Sequence, residues 1–270
     1  MPVTAVLLAA GYATRLYPLT THRPKALLPL GDGVMLDAVV RSLDDVKGLR
    51  QRFLVTNHRF AAQFRAWQRM RKTAVQIIDD GTNSAEERLG AIGDLDLVHQ
   101  AADPADDLLV VGTDNLFRWS LGTFVATARR HRRSPSIALW RAPSRAAATQ
   151  FGVVQREASG RISAFVEKSP RPPSADVALC VYYFPAAMRS TLRTFMKSGG
   201  NTDAPGYFIE WLSRRGAVYG IMMPGLWYDI GTLEAYKTVI REWSTVSGPM
   251  KRVTRPVRAA SRRTPTISRR

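Results

Sequence analysis

Short apolar runs alternate with amphipathic segments along the first half of the chain. The apolar runs predict strands at Ala5–Leu8, Arg52–Thr56, Val75–Ile78, Leu108–Gly112 and Ser136–Arg141. Between them, apolar residues at helical spacing predict helices at Met35–Leu43, Arg59–Met70, Ala85–Gln100 and Leu121–Arg130. Because a helical crossover between consecutive strands is what a parallel sheet requires, the pattern predicts an α/β fold with a doubly wound, largely parallel sheet.

The pattern changes in the second half, where apolar runs follow one another closely. Strands are predicted at Phe151–Gln155, Arg161–Val166, Ala178–Phe184 and Ala217–Met222, and helices near Ala186–Met196, Tyr207–Ser213 and Leu233–Trp243. No internal repeat is visible. The sequence therefore predicts one domain, 1–248.

Composition is that of a soluble globular protein with a sizeable core. The chain has 270 residues, of which 45% are hydrophobic, and it has no apolar run long enough to span a membrane. Neither a secretory leader nor a disulfide is expected, since the start lacks a basic and apolar segment and Cys180 is the only cysteine. A cytoplasmic setting without a membrane partner is the expectation.

The formal charge of +17 is concentrated at the C-terminus. Residues 249–270 hold eight Lys and Arg residues and no acid, so the first 248 residues carry only +9. This basic tail has few apolar residues and no period, which predicts disorder. Binding of RNA, an acidic lipid or an acidic partner surface remains open, as does a tail without any specific partner, and no specific nucleic acid is expected.

The loop after the first strand has the composition of a phosphate-binding turn. Gly11 lies among the small residues Ala9, Ala10 and Ala13, so the backbone N–H groups can approach an anion closely. Arg15 and Lys25 can neutralise phosphate charge. A strand-to-helix turn with two solvated cations is the alternative, because neither a Walker A sequence nor a Gly-x-Gly-x-x-Gly sequence is present.

An acid follows the fourth predicted strand. Asp114 comes directly after Gly112 and Thr113, at the carboxyl end of a strand, where open α/β sheets collect ligands. There it can hold a divalent cation against a phosphate. Capping of a turn together with Asn115 is an equally open interpretation from spacing alone.

The order of five sequence blocks carries a family resemblance. The opening segment VLLAAGYATRLYPLTTHRPKALLP is followed by GTDNLF at 112–117, FGVVQRE at 151–157 with FVEKSP at 165–170, DAPGYFIEWL at 203–212 and WYDIGT at 227–232. In this order the blocks resemble the sugar-1-phosphate nucleotidyltransferases, of which glucose-1-phosphate thymidylyltransferase represents one branch. The resemblance covers Ala5 to about Ile240. It implies a Rossmann-like nucleotidyltransferase fold with a nucleotide-binding first half and an acceptor-binding second half.

The resemblance implies roles for the phosphate loop and the two acids. Asp114 and Asp229 would share one Mg²⁺, although Asp229 by itself looks like part of a turn. Arg15 would bind the β- and γ-phosphates and the departing pyrophosphate, and Lys25 would lie near the transferring phosphoryl group. The nucleotide-binding residues would be Ala9, Ala10, Gly11, Tyr12, Ala13, Thr14 and Arg15.

The same resemblance implies an acceptor site around Glu167 and Lys168. Glu167 would accept hydrogen bonds from sugar hydroxyls and Lys168 would hold the sugar phosphate, with Gly152 and Tyr182 beside them. Adjacent strand residues face opposite ways unless the strand ends there, so this assignment requires the strand to end. An exposed charged pair, and a Gly152 that merely starts a strand, are the alternatives.

Departures from the family pattern bear on the substrates. Ala13 replaces a common glycine, which is tolerable if its φ is negative. Leu179 and Cys180 stand where Thr-Gly is usual in the thymidylyltransferase branch, so we expect plain glucose 1-phosphate to be disfavoured. The Gln that relatives use to read the base has no clear counterpart. Asn83 or Ser84 is the candidate, with Gly90 letting the base approach the backbone, and thymine, uracil, guanine and cytosine all stay open.

The predicted reaction transfers a nucleoside monophosphate from an NTP to a sugar 1-phosphate, releases pyrophosphate and needs no covalent protein nucleophile. The alternatives are a non-sugar acceptor, such as a cyclitol, choline-type phosphate or phosphonate, and a catalytically silent NTP-binding module. The resemblance also favours a homo-oligomer, either a dimer or a tetramer.

Overall fold

The computed structural model describes residues 1–245. Its strands are β1 (Val3–Leu8), β2 (Pro29–Leu30), β3 (Gly33–Val34), β4 (Leu49–Thr56), β5 (Val75–Asp79), β6 (Asp107–Gly112), β7 (Asn115–Phe117), β8 (Ser136–Arg141), β9 (Gly152–Arg156), β10 (Ile162–Glu167), β11 (Asp176–Phe184), β12 (Tyr219–Met222) and β13 (Trp227–Asp229). Its α-helices are α1 (Met35–Ser42), α2 (His58–Arg71), α3 (Gly90–Ala101), α4 (Leu121–Ala128), α5 (Arg189–Lys197), α6 (Pro205–Ser213) and α7 (Leu233–Thr245). The predicted tail at 249–270 lies outside the described residues.

A central sheet of nine strands confirms the predicted fold class. Strand β1 pairs in parallel with β4 on one side and with β6 on the other, and β5 continues the parallel set beyond β4. Strand β11 runs antiparallel to β6, β8 and β9. The closely spaced apolar runs of the second half thus supply the antiparallel part of a mixed, largely parallel sheet.

The two faces of the sheet are buried under different helices. In β1, Val3, Ala5 and Leu7 pack into one apolar cluster, which includes residues of α1, α2 and α4. Val6 faces a second cluster, which includes residues of α3, α5 and α6. Because side chains alternate along a strand, a fully buried β1 requires helices on both faces, as a doubly wound sheet has.

Helix α3 begins five residues later than predicted. The charged segment 85–89 is irregular, and Gly90 has a φ of +76°, which no residue inside an α-helix adopts. At its other end, the buried Arg189 side chain donates hydrogen bonds to the carbonyl oxygens of His99, Ala102 and Asp103. These bonds satisfy carbonyl groups that the end of a helix leaves unpaired.

Within residues 1–245 we find no helix that is both long and apolar enough to cross a membrane.

Candidate functional site

The phosphate-binding loop and Asp114 emerge side by side from neighbouring strands. In the register of β1 and β6, Leu8 lies opposite Gly112, so Ala9 and Thr113 leave the sheet together. The chain continues from β1 to β4 on one side, while β6 lies on the other side, so the strand order reverses between β1 and β6. Such a reversal opens a crevice at the carboxyl ends of the strands, where ligands bind in open α/β sheets.

Hydrogen bonds from three parts of the chain hold the phosphate loop. The Asn57 side-chain amide donates to the Ala10 carbonyl at 2.9 Å, and the Thr20 hydroxyl donates to the Ala13 carbonyl at 2.8 Å. The hydroxyl groups of Tyr12 and Thr82 are 3.2 Å apart. A Cβ built on Gly11 would have no neighbour within 4 Å, so the loop is open to an incoming ligand at that residue.

Ala13 corrects one expectation. Its φ is +49°, in the left-handed region, whereas we considered an alanine tolerable here if its φ was negative. The residue precedes a short 3₁₀-helix, Thr14–Leu16, which carries Arg15. A methyl group is therefore accepted at a position that favours glycine, with a conformational cost of about 1–2 kcal/mol.

We expect Ala13→Gly to raise the free energy of unfolding by about 0.5–1 kcal/mol, because the relief of the left-handed conformation exceeds the entropy cost of a glycine. Urea denaturation of both proteins measures the change. Ala10→Gly is the control in the same loop, at a φ outside the left-handed region, and it should lower the stability. A lower stability for Ala13→Gly as well would contradict a strained Ala13.

Lys25 and Asp114 form an ion pair at the base of the crevice. The Lys25 ammonium lies 2.8 Å from Asp114 Oδ2, and the Asn115 amide donates to Oδ1 at 2.8 Å. Burial works to raise the pKa of the Asp114 carboxyl, but the Lys25 charge and these hydrogen bonds hold it below its usual value. Asp114 is therefore ionised at neutral pH.

Asp229 is brought to the same place by a small two-stranded sheet. Strand β13 pairs with β7, which puts Asp229 opposite Asn115, and the Ile230 N–H donates to the Asp114 carbonyl at 3.1 Å. Burial, followed by the charge of Asp114, raises the pKa of the Asp229 carboxyl to about 6. No described residue donates a hydrogen bond to this carboxylate. The two acids, 115 residues apart in sequence, thus line the same cavity.

Arg15 completes the charged edge of the crevice. It lines the same cavity as Asp114 and Asp229, and its positive charge lowers the pKa of the Asp229 carboxyl. Within the described chain, the Arg15 guanidinium has no ion pair or hydrogen bond. It is therefore a cation whose donors are available to a ligand.

A cavity of about 580 Å³ adjoins these groups and contains the predicted acceptor residues. Gly152, Glu167, Lys168 and Tyr182 all line it. Strand β10 ends at Glu167, and Lys168 has a φ of +47°, so the chain turns and both charged side chains face the cavity. The strand end that the acceptor assignment requires is present.

Two glycines make room for the Glu167 carboxylate. A Cβ built on Gly152 would lie 2.8 Å from Glu167 Oε2, and one built on Gly206 would lie 2.5 Å from the same atom. Sequence reasoning included Gly206 only inside the DAPGYFIEWL block and gave it no role. The only signal was a glycine directly before the predicted helix Tyr207–Ser213, and a glycine at that position is equally explained as a helix cap.

Strand β11 corrects the interpretation of Leu179. Ala178, Cys180 and Tyr182 line the cavity, whereas Leu179 is fully buried in the apolar cluster on the other face of the sheet. Since side chains alternate along a strand, Leu179 removes no hydroxyl from the acceptor cavity. Only Cys180 adds bulk there, and burial raises the pKa of its thiol, followed by the charges of Asp114 and Asp229.

Gly90 lies against the segment that precedes α6. The atoms closest to a Cβ built on Gly90 belong to Thr202, whose carbonyl carbon would be 2.7 Å away. The Ala91 and Ile92 N–H groups donate to the carbonyls of Asp203 and Thr202. Gly90 thus joins α3 to the segment before α6. Asn83 is exposed in the preceding loop, where its N–H donates to the Glu87 carboxylate at 2.8 Å.

Gly90→Ala is expected to lower the free energy of unfolding by about 3 kcal/mol, because the methyl group meets the Thr202 carbonyl and the φ is left-handed. Gly199→Ala is a matched control, since Gly199 has a φ of +75° and open space around its Cα. It should lose only about 1 kcal/mol. Equal losses in thermal or urea unfolding would contradict the close packing at Gly90.

A second cavity, of about 810 Å³, lies at the amino ends of β4 and β5, on the edge of the sheet opposite the crevice. Its buried acid, Asp37, already accepts hydrogen bonds from Arg71 and from the Trp67 indole. Because its acid is satisfied and it lies far from the phosphate loop, this cavity is not the candidate site.

Known proteins resemble this chain in sequence and in fold. The profile of the nucleotidyl transferase family matches residues 4–245. Glucose-1-phosphate adenylyltransferases of Mycolicibacterium vanbaalenii and Corynebacterium efficiens are 28% and 27% identical to the chain. Each match covers 87% of this chain, which spans only 65% and 64% of the lengths of these relatives.

A solved structure shares the fold. It is a Bacillus anthracis protein assigned as a glucose-1-phosphate thymidylyltransferase, in complex with sucrose, with a TM-score of 0.75 and 19% identity over 89% of this chain and 94% of that one. The resemblance seen in the five sequence blocks is confirmed by these matches, and the chain belongs to the nucleotidyl transferase family.

Proposed function

We propose that the chain transfers a nucleoside monophosphate from an NTP to a sugar 1-phosphate and releases pyrophosphate. The observation that carries the proposal is the convergence of Asp114, Asp229 and Arg15 on one cavity that also holds Glu167 and Lys168. Two acids beside two cationic groups suit a triphosphate, and a carboxylate beside an ammonium group suits a sugar phosphate.

The names of the relatives support the same reaction class. Adenylyltransferases and a thymidylyltransferase that act on glucose 1-phosphate differ in the base that they transfer. The relatives therefore support the chemistry and leave the base open. The base and the sugar of this chain are matters for experiment.

The donor set fits Mg²⁺. Among residues 1–245 no group of three or more His, Cys, Asp and Glu side chains is arranged to hold a metal, but Asp114 and Asp229 offer two converging carboxylates. Mg²⁺ is commonly bound by one or two carboxylates together with water and substrate phosphates. The Asp229 carboxylate has no hydrogen-bond donor among the described residues and lies near the negative charge of Asp114. A bound cation would compensate these two negative charges. When bound, the ion would neutralise phosphate charge and align the phosphates.

The side chains of this protein would perform the remaining work. A phosphate oxygen of the acceptor attacks the α-phosphorus, the bond from that phosphorus to the bridging oxygen breaks, and pyrophosphate leaves with the electron pair. The acceptor phosphate is already an anion, so no protein base is needed. Lys25 would stabilise charge near the α-phosphate, and Arg15 would bind the departing pyrophosphate through two parallel hydrogen bonds.

Glu167 and Lys168 would orient the acceptor. No described residue donates a hydrogen bond to the Glu167 carboxylate, so its oxygens are available to sugar hydroxyls. Burial raises the pKa of this carboxyl while the neighbouring Lys168 works to lower it. Lys168 would hold the sugar phosphate in line with the α-phosphorus. Its positive charge would offset the repulsion between the two polyanions and fix the direction of attack.

Pyrophosphate release measured across a matrix of ATP, GTP, CTP, UTP and dTTP with several sugar 1-phosphates tests the proposal. Turnover in at least one pair is expected. Turnover only with a cyclitol or choline-type phosphate would replace the sugar acceptor, and NTP binding without turnover under any condition would contradict the proposed reaction. A cytoplasmic setting and a dimer or tetramer remain predictions. Fractionation of cells and light scattering of the purified chain test them.

A further inference from the structure

Asp94 is a buried acid that the proposed reaction does not use. It lies in the second turn of α3 and is 5% exposed. Its Oδ1 atom is fully buried without a hydrogen-bond partner, and no described residue donates a hydrogen bond to either of its oxygens. A buried carboxyl group without donors is unfavourable for the free protein, so such a group points to a ligand that supplies the donors.

A second carboxylate, Asp80, lies close enough for its charge to act on Asp94. It follows β5 directly, and its Oδ1 accepts hydrogen bonds from the N–H and the hydroxyl of Thr82 at 2.7 and 2.8 Å. Its Oδ2 has no partner among the described residues. Burial, followed by the charge of Asp80, raises the pKa of Asp94 to about 7, with no nearby cation to oppose the shift. The pair thus has three oxygen atoms without a partner among the described residues, Asp80 Oδ2 and both oxygens of Asp94, and of these Asp94 Oδ1 is fully buried.

The acid pair is connected to the phosphate loop. Thr82, which bonds to Asp80, also contacts the hydroxyl of Tyr12 in that loop. Helix α3 packs against β1 and β4, and Asp80 ends the neighbouring β5. Adjacent strands are about 4.8 Å apart, so the end of β5 lies about 10 Å from the end of β1. The pair is thus within the reach of a base whose phosphates lie at Gly11.

The position of the acceptor cavity decides on which side the nucleoside lies. That cavity is on the β6 and β11 side of the phosphate loop, with Asp114 between the two. An NTP whose α-phosphate meets the acceptor there must direct its nucleoside away, toward β4 and β5. This direction leads to Asp80 and Asp94.

We propose that Asp94, assisted by Asp80, selects guanine as the base of the NTP. The inference rests on the proposed function only in taking an NTP as the ligand. Two hydrogen bonds from a ligand favour the ionised form of a carboxyl group, and in that form it accepts hydrogen bonds and donates none. Guanine presents two adjacent donors, N1–H and the 2-amino group, on its Watson–Crick edge. Uracil and thymine place one donor between two carbonyl groups, and adenine and cytosine place an acceptor beside their amino group, which a carboxylate repels.

The alternatives fit less well. A metal on this pair would lack the substrate phosphates that would complete the coordination at Asp114 and Asp229, because phosphates bound at Gly11 would lie about 10 Å from the end of β5. A structural pair that shares one proton needs no ligand, and the experiment below separates it from a base-reading pair.

The test is equilibrium binding by calorimetry, with the full chain, Mg²⁺ and no acceptor. GTP, ITP, ATP, UTP, CTP and dTTP are titrated in turn. We expect GTP to bind at least tenfold more tightly than ATP, UTP, CTP and dTTP, with ITP weaker than GTP because it lacks the 2-amino group. Asp94→Asn should weaken GTP by about 10- to 100-fold, as loss of hydrogen bonds to a charged group predicts, and change ATP by less than twofold.

Asp96→Asn is the matched control, because Asp96 is in the same helix but pairs with Arg193 at 3.2 Å. It should leave the order of affinities unchanged. A wild-type preference for another base overturns the inference, and this series requires no variant to fold. Unchanged affinity ratios in Asp94→Asn overturn it too and identify a structural pair. Calorimetry without an acceptor measures NTP binding independently of the transfer reaction. Tight GTP binding, together with no pyrophosphate release in the substrate matrix, would reject only the proposed transfer. Pyrophosphate release with an NTP other than GTP would reject only the choice of guanine.

Discussion

Asp114→Asn is expected to lower the rate of pyrophosphate release by about a thousandfold while the chain stays folded. The substitution removes a charge that lies 2.8 Å from Lys25 and lines the same cavity as Asp229, but it keeps the size of the side chain. Loss of one electrostatic contact to a reacting group typically reduces turnover by about 10²–10³-fold, and a lost metal ligand belongs at the upper end. Steady-state kinetics at saturating Mg²⁺, with circular dichroism of the same samples, measures both effects.

Asp229→Asn is expected to separate activity from stability. Turnover should fall by a similar factor, yet the free energy of unfolding should rise by about 1–2 kcal/mol, because one of two like charges is removed from a buried place. Asp32→Asn is the control, since Asp32 is exposed in the β2–β3 hairpin and should change neither quantity. Full activity in both the Asp114 and Asp229 variants would contradict the proposed metal site.

Arg15→Ala is expected to reduce kcat/KM for the NTP by about 10²–10³-fold and to change stability by less than about 0.5 kcal/mol. The reason for the small change in stability is that Arg15 has no partner among the described residues, so its removal leaves no buried group unpaired. Arg15→Lys should recover part of the loss, since an ammonium group restores the charge but cannot form two parallel hydrogen bonds.

Arg133→Ala provides the matched control for Arg15. Arg133 is exposed, has no partner among the described residues and lies away from the crevice, so its loss changes the net charge by the same amount. Its kinetics should equal those of the wild type. If both Arg variants lose activity equally, the effect of Arg15 is one of net charge and not of contact with the pyrophosphate.

Local patterns of apolar residues were sufficient to predict most strands of the sheet. Strand β8 is predicted at Ser136–Arg141 and is found there, because a run of buried apolar residues bounded by polar ones leaves little choice of register. Helix α3 was predicted too long, since its charged first segment looks helical and only the positive φ of Gly90 breaks it. The amphipathic pattern does not contain that information.

The small sheet that unites the acids was not predicted. Strands β7 and β13 have three residues each and pair across more than a hundred residues of sequence. A run of three residues is too short to show a period, so Asp229 could be assigned only through family resemblance. The conformation of Ala13 and the direction of Leu179, away from the acceptor cavity, were missed for a related reason: both depend on how the loop and strand are held by distant partners.

Asp114 and Asp229 come from distant segments of the chain, and we propose that they bind one cation opposite the cationic phosphate-binding loop. A crystal of the chain with Mn²⁺ and a non-hydrolysable NTP analogue locates that cation by its anomalous scattering. The account predicts a peak within about 2.2 Å of one carboxylate oxygen from each of Asp114 and Asp229, with phosphate oxygens completing the coordination. A peak that contacts neither carboxylate, with the phosphates bound away from Gly11 and Arg15, would contradict it.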